Sequence, residues 1–129
     1  LIAAVASVSG AMLNCTGPTS HPMPVVHLHG TSDAVVSYNG SNDWNSVQST
    51  LDYWTSFNNT ISTPTINTDN TGGMTIEHYS YEQGDNSVSV EHYKYIGGDH
   101  VWFNEPYQGQ NASELVWNFM SKYDINGLR

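Results

Sequence analysis

The segment VVHLHGTSDAVV, residues 25–36, joins an apolar run rich in β-branched residues to a polar turn that starts at Gly30. Short apolar runs that end in glycine are typical of central strands in a covered sheet, where polar and apolar residues no longer alternate. In open α/β sheets, ligands bind beyond the carboxyl ends of such strands. The segment therefore predicts a central strand followed by a candidate site at Ser32 and Asp33.

The sequence also predicts other strands around this one. Residues 2–9 form a second short apolar run, which indicates another buried strand. Residues 74–82 and 87–96 alternate and flank the tetrapeptide QGDN, a pattern that predicts a β-hairpin. The stretch between residues 58 and 73 has no period, so we expect a loop with short extended pieces.

Two segments carry apolar residues at helical spacing, residues 44–58 and residues 111–123. Candidate N-caps are Asn42 or Asp43 for the first helix and Asn111 or Ser113 for the second. The order strand, strand, helix, hairpin, helix predicts an α/β fold with a mostly parallel sheet and flanking helices.

The aromatic residues of these elements have expected places. Those at helical spacing are expected in the core: Trp54, Phe57, Trp117 and Phe119. Those that alternate along the hairpin are expected to form one patch on one face, either core against a helix or an interaction surface: Tyr79, Tyr81, Tyr93 and Tyr95.

Composition argues against several kinds of partner. The 12 acidic and 3 basic side chains give a net charge of −9, which repels phosphate backbones and anionic lipid, so we expect neither nucleic acid nor membrane partners. No stretch approaches the ~20 consecutive apolar residues of a membrane span. Cys15 is the single cysteine of the sequence, which excludes an intrachain disulfide and a cysteine-rich zinc site. The scarcity of Lys and Arg is compatible with a secreted or periplasmic location, which we take as the expectation.

Acid–base chemistry is suggested by two polar turns at predicted strand ends. Asp33 follows the second strand, and His100 follows the last strand after Gly97, Gly98 and Asp99. A carboxylate with a later histidine fits the chain order Ser, Asp, His of α/β-hydrolase triads. In such triads the carboxylate fixes the tautomer of the imidazole, and the imidazole takes the serine proton. Asp33 and His100 are therefore candidate catalytic residues.

The same residues belong to segments that resemble a known family. The segments are PVVHLHGTSDAVVSYNG (24–40), LDYWTSFN (51–58), YIGGDHVWF (95–103) and SELVWNFM (113–120). Together they resemble the C-terminal half of α/β-hydrolase esterases of the polyhydroxybutyrate depolymerase and feruloyl esterase type. IAAVASVSGAM (2–12) resembles the strand that follows the nucleophile helix in that family. The resemblance implies that residues 1–129 form a single domain, the C-terminal portion of an α/β-hydrolase domain that lacks the nucleophile elbow.

The resemblance also implies roles for individual residues. Asp33 matches the triad acid, His100 the triad base, Tyr38 and Asn39 a segment at the mouth of the site, and Trp102 the aromatic residue after the base. Asp99 departs from the pattern, because the family often has a third glycine there. The implied activity is carboxylic ester hydrolysis through an acyl-enzyme, without a cofactor. Because the nucleophile elbow and the oxyanion-hole segment lie upstream of the matched part, we expect little or no activity from this chain alone.

Ser32 is the alternative nucleophile within the chain. The string GTSDA, residues 30–34, differs by one residue from the G-x-S-x-G elbow. An elbow needs a helix after its serine, whereas the sequence after Asp33 favours extended chain and a turn. Adjacent side chains also tend to point in different directions, so Ser32 and Asp33 are not expected to face one cleft together.

The other histidines allow a different interpretation. His27 and His29 lie on one face of the predicted strand and with Asp33 suggest a metal site, although a buried histidine pair is more often a hydrogen-bonded part of the core. We expect no metal. His78 and His92 lie near each other across the hairpin only if its register allows.

A second functional hypothesis is a non-catalytic module, derived from a hydrolase, that binds or self-associates. A half-domain leaves a strand edge that must be covered. This hypothesis predicts a homo-oligomer, such as a homodimer, or pairing with an N-terminal half.

Overall fold

The computed structural model describes residues 2–13 and 21–129, which form a mixed α/β fold. The strands are β1 (Val5–Val8), β2 (Val25–Gly30), β3 (Thr65–Asp69), β4 (Ile76–Tyr81), β5 (Val90–Tyr95), β6 (Tyr123–Asp124) and β7 (Gly127–Leu128), and the helices are α1 (Val47–Asn58) and α2 (Ala112–Met120). Cys15 lies outside the described residues.

The central sheet has the strand order β1-β2-β5-β4-β3, while β6 and β7 pair as a small C-terminal hairpin. β2 pairs in parallel with both β1 and β5, whereas β4 pairs antiparallel with both β5 and β3. The pairings in the described sheet are therefore evenly divided, and the prediction of a mostly parallel sheet is only partly correct. Because β2 and β5 are parallel neighbours, their last residues, Gly30 and Tyr95, are paired at the same edge of the sheet.

One helix packs on each face of the sheet. Val47 and Leu51 of α1 pack with Val25 and Val90, and Leu115 and Phe119 of α2 pack on the opposite face with Val26 and Leu28. This separation follows from the two-residue repeat of a strand, which directs neighbouring side chains of β2 to opposite faces. The second strand is buried along its whole length, as its apolar sequence predicts.

The helix starts follow from capping side chains. Ser46 accepts a hydrogen bond from the backbone of Ser49, so α1 begins at Val47 and the prediction of Asn42 or Asp43 as N-cap is wrong. The prediction of Asn111 is confirmed: its side chain accepts from the backbone of Glu114, whose side chain in turn accepts from the backbone of Asn111. This reciprocal arrangement satisfies two amides that have no partner within the helix.

The expectation of a single tyrosine patch is wrong. The register pairs Tyr79 with His92 and Tyr93 with His78. Paired residues share a face, so Tyr79 and Tyr81 face α1 while Tyr93 and Tyr95 face α2. The same register places His78 and His92 on opposite faces, so they do not meet.

Other outcomes concern helix and loop positions. Trp117 is 69% exposed, so its prediction as core is wrong, whereas Phe119 is buried and Trp54 and Phe57 pack partly buried against the α1-side core. The predicted hairpin is confirmed, with a longer connection that includes a 3₁₀ turn at Asp85–Ser87. β3 arises from the stretch expected to be largely loop.

No helix in the described part of the chain has the length and apolar character needed to cross a membrane.

Candidate active site

The turns after β2 and β5 are locked together at one edge of the sheet. The backbone amide of Ser32 donates to the carbonyl of Gly98 at 2.9 Å, and the amide of Gly97 donates to Oγ1 of Thr31 at 2.7 Å. A Cβ atom on Gly30 would overlap the Gly98 carbonyl oxygen, so the two turns approach as closely as they do because neither glycine has a side chain. This contact brings the residues that follow each glycine to a common place.

Asp33 and His100 meet there. Nδ1 of His100 lies 3.0 Å from Oδ2 of Asp33, although 67 residues separate them in the chain. The side chain of Asp33 is 0% exposed and that of His100 is 39% exposed. The pair thus consists of a carboxylate sealed from solvent and an imidazole that solvent reaches.

The carboxylate of Asp33 is held by the backbone that follows it. Its Oδ1 accepts from the amides of Val35 and Val36, both at 2.8 Å. Burial alone raises the pKa of Asp33, but the hydrogen bonds from Val36, Val35 and His100 outweigh burial and hold the pKa below its ordinary value. The side chain is therefore a fixed anion at neutral pH, as a triad acid must be.

The imidazole of His100 has a defined orientation. Its Nδ1 faces a carboxylate, which accepts but does not donate, so Nδ1 carries a proton and the neutral ring presents Nε2 as its basic nitrogen. Among the described residues, none forms a hydrogen bond with Nε2. An exposed histidine with its basic nitrogen open is arranged to take a proton from a group outside the pair.

Asp99, the departure from the family pattern, binds backbone and not the imidazole. Its Oδ1 accepts from the amide of His100 at 2.7 Å and from the amide of Ala34 at 3.2 Å. Asp99 therefore bridges the two turns that carry Asp33 and His100. Its contribution is to hold these turns together, which the sequence did not predict.

Ser32 is adjacent to the pair but has none of the features of a nucleophile elbow. Its side chain is exposed, and in the described residues its hydroxyl forms no hydrogen bond with His100. Turns and bends follow it, and the next helix starts only at Val47. Its φ is not in the positive region that the strained elbow turn would require.

The other predicted residues divide between the core and the surface. Tyr38 is half-buried, and its hydroxyl donates to Nε2 of His92 at 2.8 Å, so it belongs to the interior polar network. Asn39 is exposed. Trp102 is 55% exposed, and its indole N–H donates to Oγ of Ser113 at 2.9 Å, which fixes an apolar surface two residues beyond His100.

The histidine pair of β2 lies behind Asp33. Nε2 of His27 lies 3.0 Å from Nδ1 of His29, and Nε2 of His29 lies 2.7 Å from the carbonyl oxygen of Val36 and 3.3 Å from Oδ2 of Asp33. Because the two rings use these nitrogens on each other, they do not converge on a common point as metal ligands do. In the described part of the chain, no group of three or more His, Cys, Asp or Glu side chains is placed to hold a metal ion.

Sequence reasoning grouped His27 and His29 with Asp33 as a possible metal site and did not predict the direct contact between His29 and Asp33. The signal was present in the spacing, since a histidine at the end of a strand and an aspartate four residues later can meet when the turn folds back. The burial of His27 agrees with the expectation of a hydrogen-bonded histidine pair on a buried strand, whereas the burial of His92 was not predicted. Burial, together with neighbouring histidines, lowers the pKa of His27, and burial lowers the pKa of His92 to about 3.

Comparisons with known proteins do not identify the chain: no family model matches it, and a search of curated proteins finds no match. The function must therefore be inferred from the site.

Proposed function

We propose that Asp33 and His100 are the acid and the general base of a serine-type carboxylic ester hydrolase with an α/β-hydrolase fold. The observation that carries the proposal is the 3.0 Å contact between the buried Asp33 carboxylate and Nδ1 of the exposed His100. It lies where open α/β sheets bind their ligands, beyond the carboxyl ends of two parallel strands.

The chemistry assigned to the pair follows from its hydrogen bonds. Asp33 holds the proton of His100 on Nδ1 and stabilises the imidazolium that forms when Nε2 takes the proton of an attacking hydroxyl. That proton is later given to the leaving alcohol as the acyl-enzyme forms, and a water molecule then attacks the acyl group with the same assistance. The exposed, anchored Trp102 supplies an apolar surface for the substrate.

The nucleophile in this proposal comes from a part of the protein other than the described residues. Ser32 lacks the hydrogen bond, the following helix and the backbone conformation that the role requires. A serine on a separate elbow, facing Nε2 of His100, would complete the triad. The 129-residue chain alone is then expected to show little triad-dependent turnover.

The test is ester hydrolysis by the protein expressed from the start of its own reading frame. We expect turnover of p-nitrophenyl butyrate that falls by about 10³-fold or more in His100→Ala, since one triad member is lost. A fluorophosphonate probe, which reacts with activated serines, followed by mass spectrometry of the labelled peptide, identifies the nucleophile directly.

Ser32→Ala is the matched control, because it removes a hydroxyl at the same turn and leaves Asp33 and His100 in place. We expect it to retain the activity of the unmodified protein. Abolition of turnover in Ser32→Ala, labelling of Ser32 by the probe, or full activity in His100→Ala would contradict the proposal.

A second candidate function, self-association without catalysis, is favoured by the edges of the sheet. β1 and β3 are its outer strands, and in the described residues neither has a partner on its outer side. β3 is exposed along most of its length, and its Ile66 is 50% exposed. Such an edge offers free backbone groups for pairing with another chain. Light scattering that shows a monomer at micromolar concentration would exclude this candidate.

A further inference from the structure

His29 occupies a position between the histidine-rich interior of the sheet and the Asp33–His100 pair. It is the penultimate residue of β2 and is 1% exposed. Its Nε2 contacts both the Val36 carbonyl oxygen, at 2.7 Å, and Oδ2 of Asp33, at 3.3 Å. Both neighbours are acceptors, so Nε2 carries a proton.

The opposite side of the ring is also specified. Nδ1 of His29 lies 3.0 Å from Nε2 of His27, and in the neutral ring of His29 this nitrogen is an acceptor. His27 therefore donates from Nε2. Since burial lowers the pKa of His27, it contributes an uncharged donor at this position. The structure thus assigns His29 the tautomer that points its N–H toward the site.

Val36 connects this N–H to the catalytic carboxylate. The carbonyl of Val36 accepts from His29, while the amide of the same residue donates to Oδ1 of Asp33 at 2.8 Å. The neighbouring amide of Val35 donates to the same oxygen. A bond to the Val36 carbonyl therefore restrains the turn that supplies both amides to Asp33.

We propose that His29 is a positioning residue for the Asp33–His100 pair: with its proton on Nε2, it holds the turn whose amides bind the Asp33 carboxylate and places the positive end of its N–H dipole beside Oδ2. The functional meaning of this role rests on the proposed hydrolase. The hydrogen bond to the Val36 carbonyl stabilises the ionised Asp33 carboxylate through the backbone amides, and the N–H dipole beside Oδ2 stabilises it directly through space.

The titratable and charged groups around this position come from several elements. On the sheet, Lys94 of β5 pairs with His29, and His92 pairs with His27 two residues earlier. From the turn after β2, Asp33 contacts His29 and also binds His100. The ring of Tyr38 packs edge-on against His29, with centroids 5.8 Å apart. Nε2 of His29 contacts the Val36 carbonyl oxygen and Oδ2 of Asp33. Both contacts favour the ionised form of Asp33.

The test measures the 129-residue chain by NMR. Long-range ¹H–¹⁵N spectra report the tautomer of each histidine, and ¹³C spectra follow the titration of the Asp33 carboxyl group. We expect His29 in the Nε2–H form. We also expect His29→Met to raise the pKa of Asp33 by roughly one unit, the equivalent of one hydrogen bond to a charged group.

Two variants separate positioning from packing. His29→Gln restores an N–H near the position of Nε2. We expect the pKa of Asp33 in this variant to return most of the way to its value in the unmodified chain. His92→Met removes a fully buried histidine of the neighbouring strand, and this histidine has no contact with Asp33. We expect the titration of Asp33 to stay unchanged in this variant.

An unchanged Asp33 pKa in His29→Met, or equal shifts in His29→Met and His92→Met, would overturn the proposal. If His29→Met does not fold, the unmodified chain still decides, because a His29 found in the Nδ1–H form is incompatible with the role. The hydrolase proposal fails by a different measurement, the retention of ester turnover in His100→Ala.

Discussion

Two carboxylate–histidine hydrogen bonds of similar length in the described part of the chain have different surroundings. At the carboxyl edge of the sheet, Asp33 and His100 are 3.0 Å apart. On the α2 face, Oε1 of Glu91 on β5 lies 2.7 Å from Nε2 of His78 on β4. Both carboxylates are buried, and hydrogen bonds from the paired histidine help to lower the pKa of each below its ordinary value.

The two pairs differ in how far the imidazole side chain is exposed to solvent. The His78 ring stacks on Tyr93 with centroids 4.2 Å apart, and its Nε2 is the nitrogen that binds the carboxylate. The other oxygen of Glu91 accepts from Ser89 at 3.1 Å, so its two oxygens are used within the fold. His100 instead binds through Nδ1 and leaves Nε2 toward solvent. A short carboxylate–histidine contact is therefore not by itself a sign of catalysis, and the exposure of the imidazole side chain, 39% for His100 against 18% for His78, separates the two pairs.

The largest expected difference between the pairs is in catalysis. In the protein expressed from its own start, Asp33→Asn should reduce kcat/KM for p-nitrophenyl butyrate by about 10⁴-fold, because the amide favours the wrong tautomer of the base. Glu91→Gln, the same change at the other pair, should leave kcat/KM within about twofold when assayed well below its unfolding temperature. Equal losses in the two variants would show that the two pairs do not differ in catalysis.

The Asp33–His100 pair could be anticipated from the sequence because apolar runs that end in glycine are local signals of the two strand ends that carry these residues. Two apolar runs that end in glycine place their polar successors at one sheet edge whenever the strands are parallel neighbours. The Glu91–His78 pair was not predicted, because it depends on the register of β4 against β5. A shift of one residue in that register would move His78, Tyr79 and Tyr81 of β4 to the opposite face relative to β5.

The other errors have similar physical origins. β3 lacks an apolar face, and its residues are mostly exposed, so no alternation marked it as a strand. Trp117 follows the helical spacing of α2 yet lies on its solvent side, because the helix buries Leu115 and Phe119. The contact of His29 with Asp33 depends on how the turn after β2 folds back, which hydrophobic periodicity does not describe.

The second prediction concerns the stability that the buried Glu91 pair contributes. Glu91→Gln leaves one acceptor oxygen where two are used, so either His78 or Ser89 faces an amide N–H₂ group. We expect the free energy of unfolding in urea at pH 7 to fall by about 2 kcal/mol, the cost of a buried polar group without its partner. Glu82→Gln, an exposed neighbour, is the control and should change stability little.

The pH dependence of the Glu91→Gln effect has a defined sign. The pKa of Glu91 is lowered in the folded state, since the His78 hydrogen bond and nearby charges outweigh burial, which raises it. Its contribution is therefore present above the ordinary glutamate pKa of about 4.3 and is lost as the pH falls through the folded value. The stability difference between the two proteins should narrow in acid, and a difference that grows there would contradict this account.

The third prediction uses a buried histidine that has no carboxylate partner. Burial lowers the pKa of His92 to about 3, below the ordinary value of about 6.5, so the unfolded chain binds more protons over this range. Stability should therefore fall as the pH decreases from 6.5, by up to about 1.4 kcal/mol per pH unit for this one residue. His92→Gln should remove that part of the slope in urea unfolding at pH 7, 6 and 5.

Tyr38→Phe is the matched control for His92→Gln. It removes the hydroxyl that donates to Nε2 of His92 but keeps the titratable imidazole of His92 itself. Its stability should be lower at every pH, with a slope close to that of the unmodified chain. If both variants lose the same part of the slope, the pH dependence does not come from the protonation of His92.

The smallest expected effect is at the exposed side of the Glu91 pair. Nζ of Lys122 lies 3.8 Å from Oε2 of Glu91, and its side chain is 49% exposed. Solvent screens such a contact, so Lys122→Met should lower the free energy of unfolding by less than about 1 kcal/mol, and less still in 1 M NaCl. A loss as large as that of Glu91→Gln would mean that Lys122, rather than His78 and Ser89, is the main partner of the buried carboxylate.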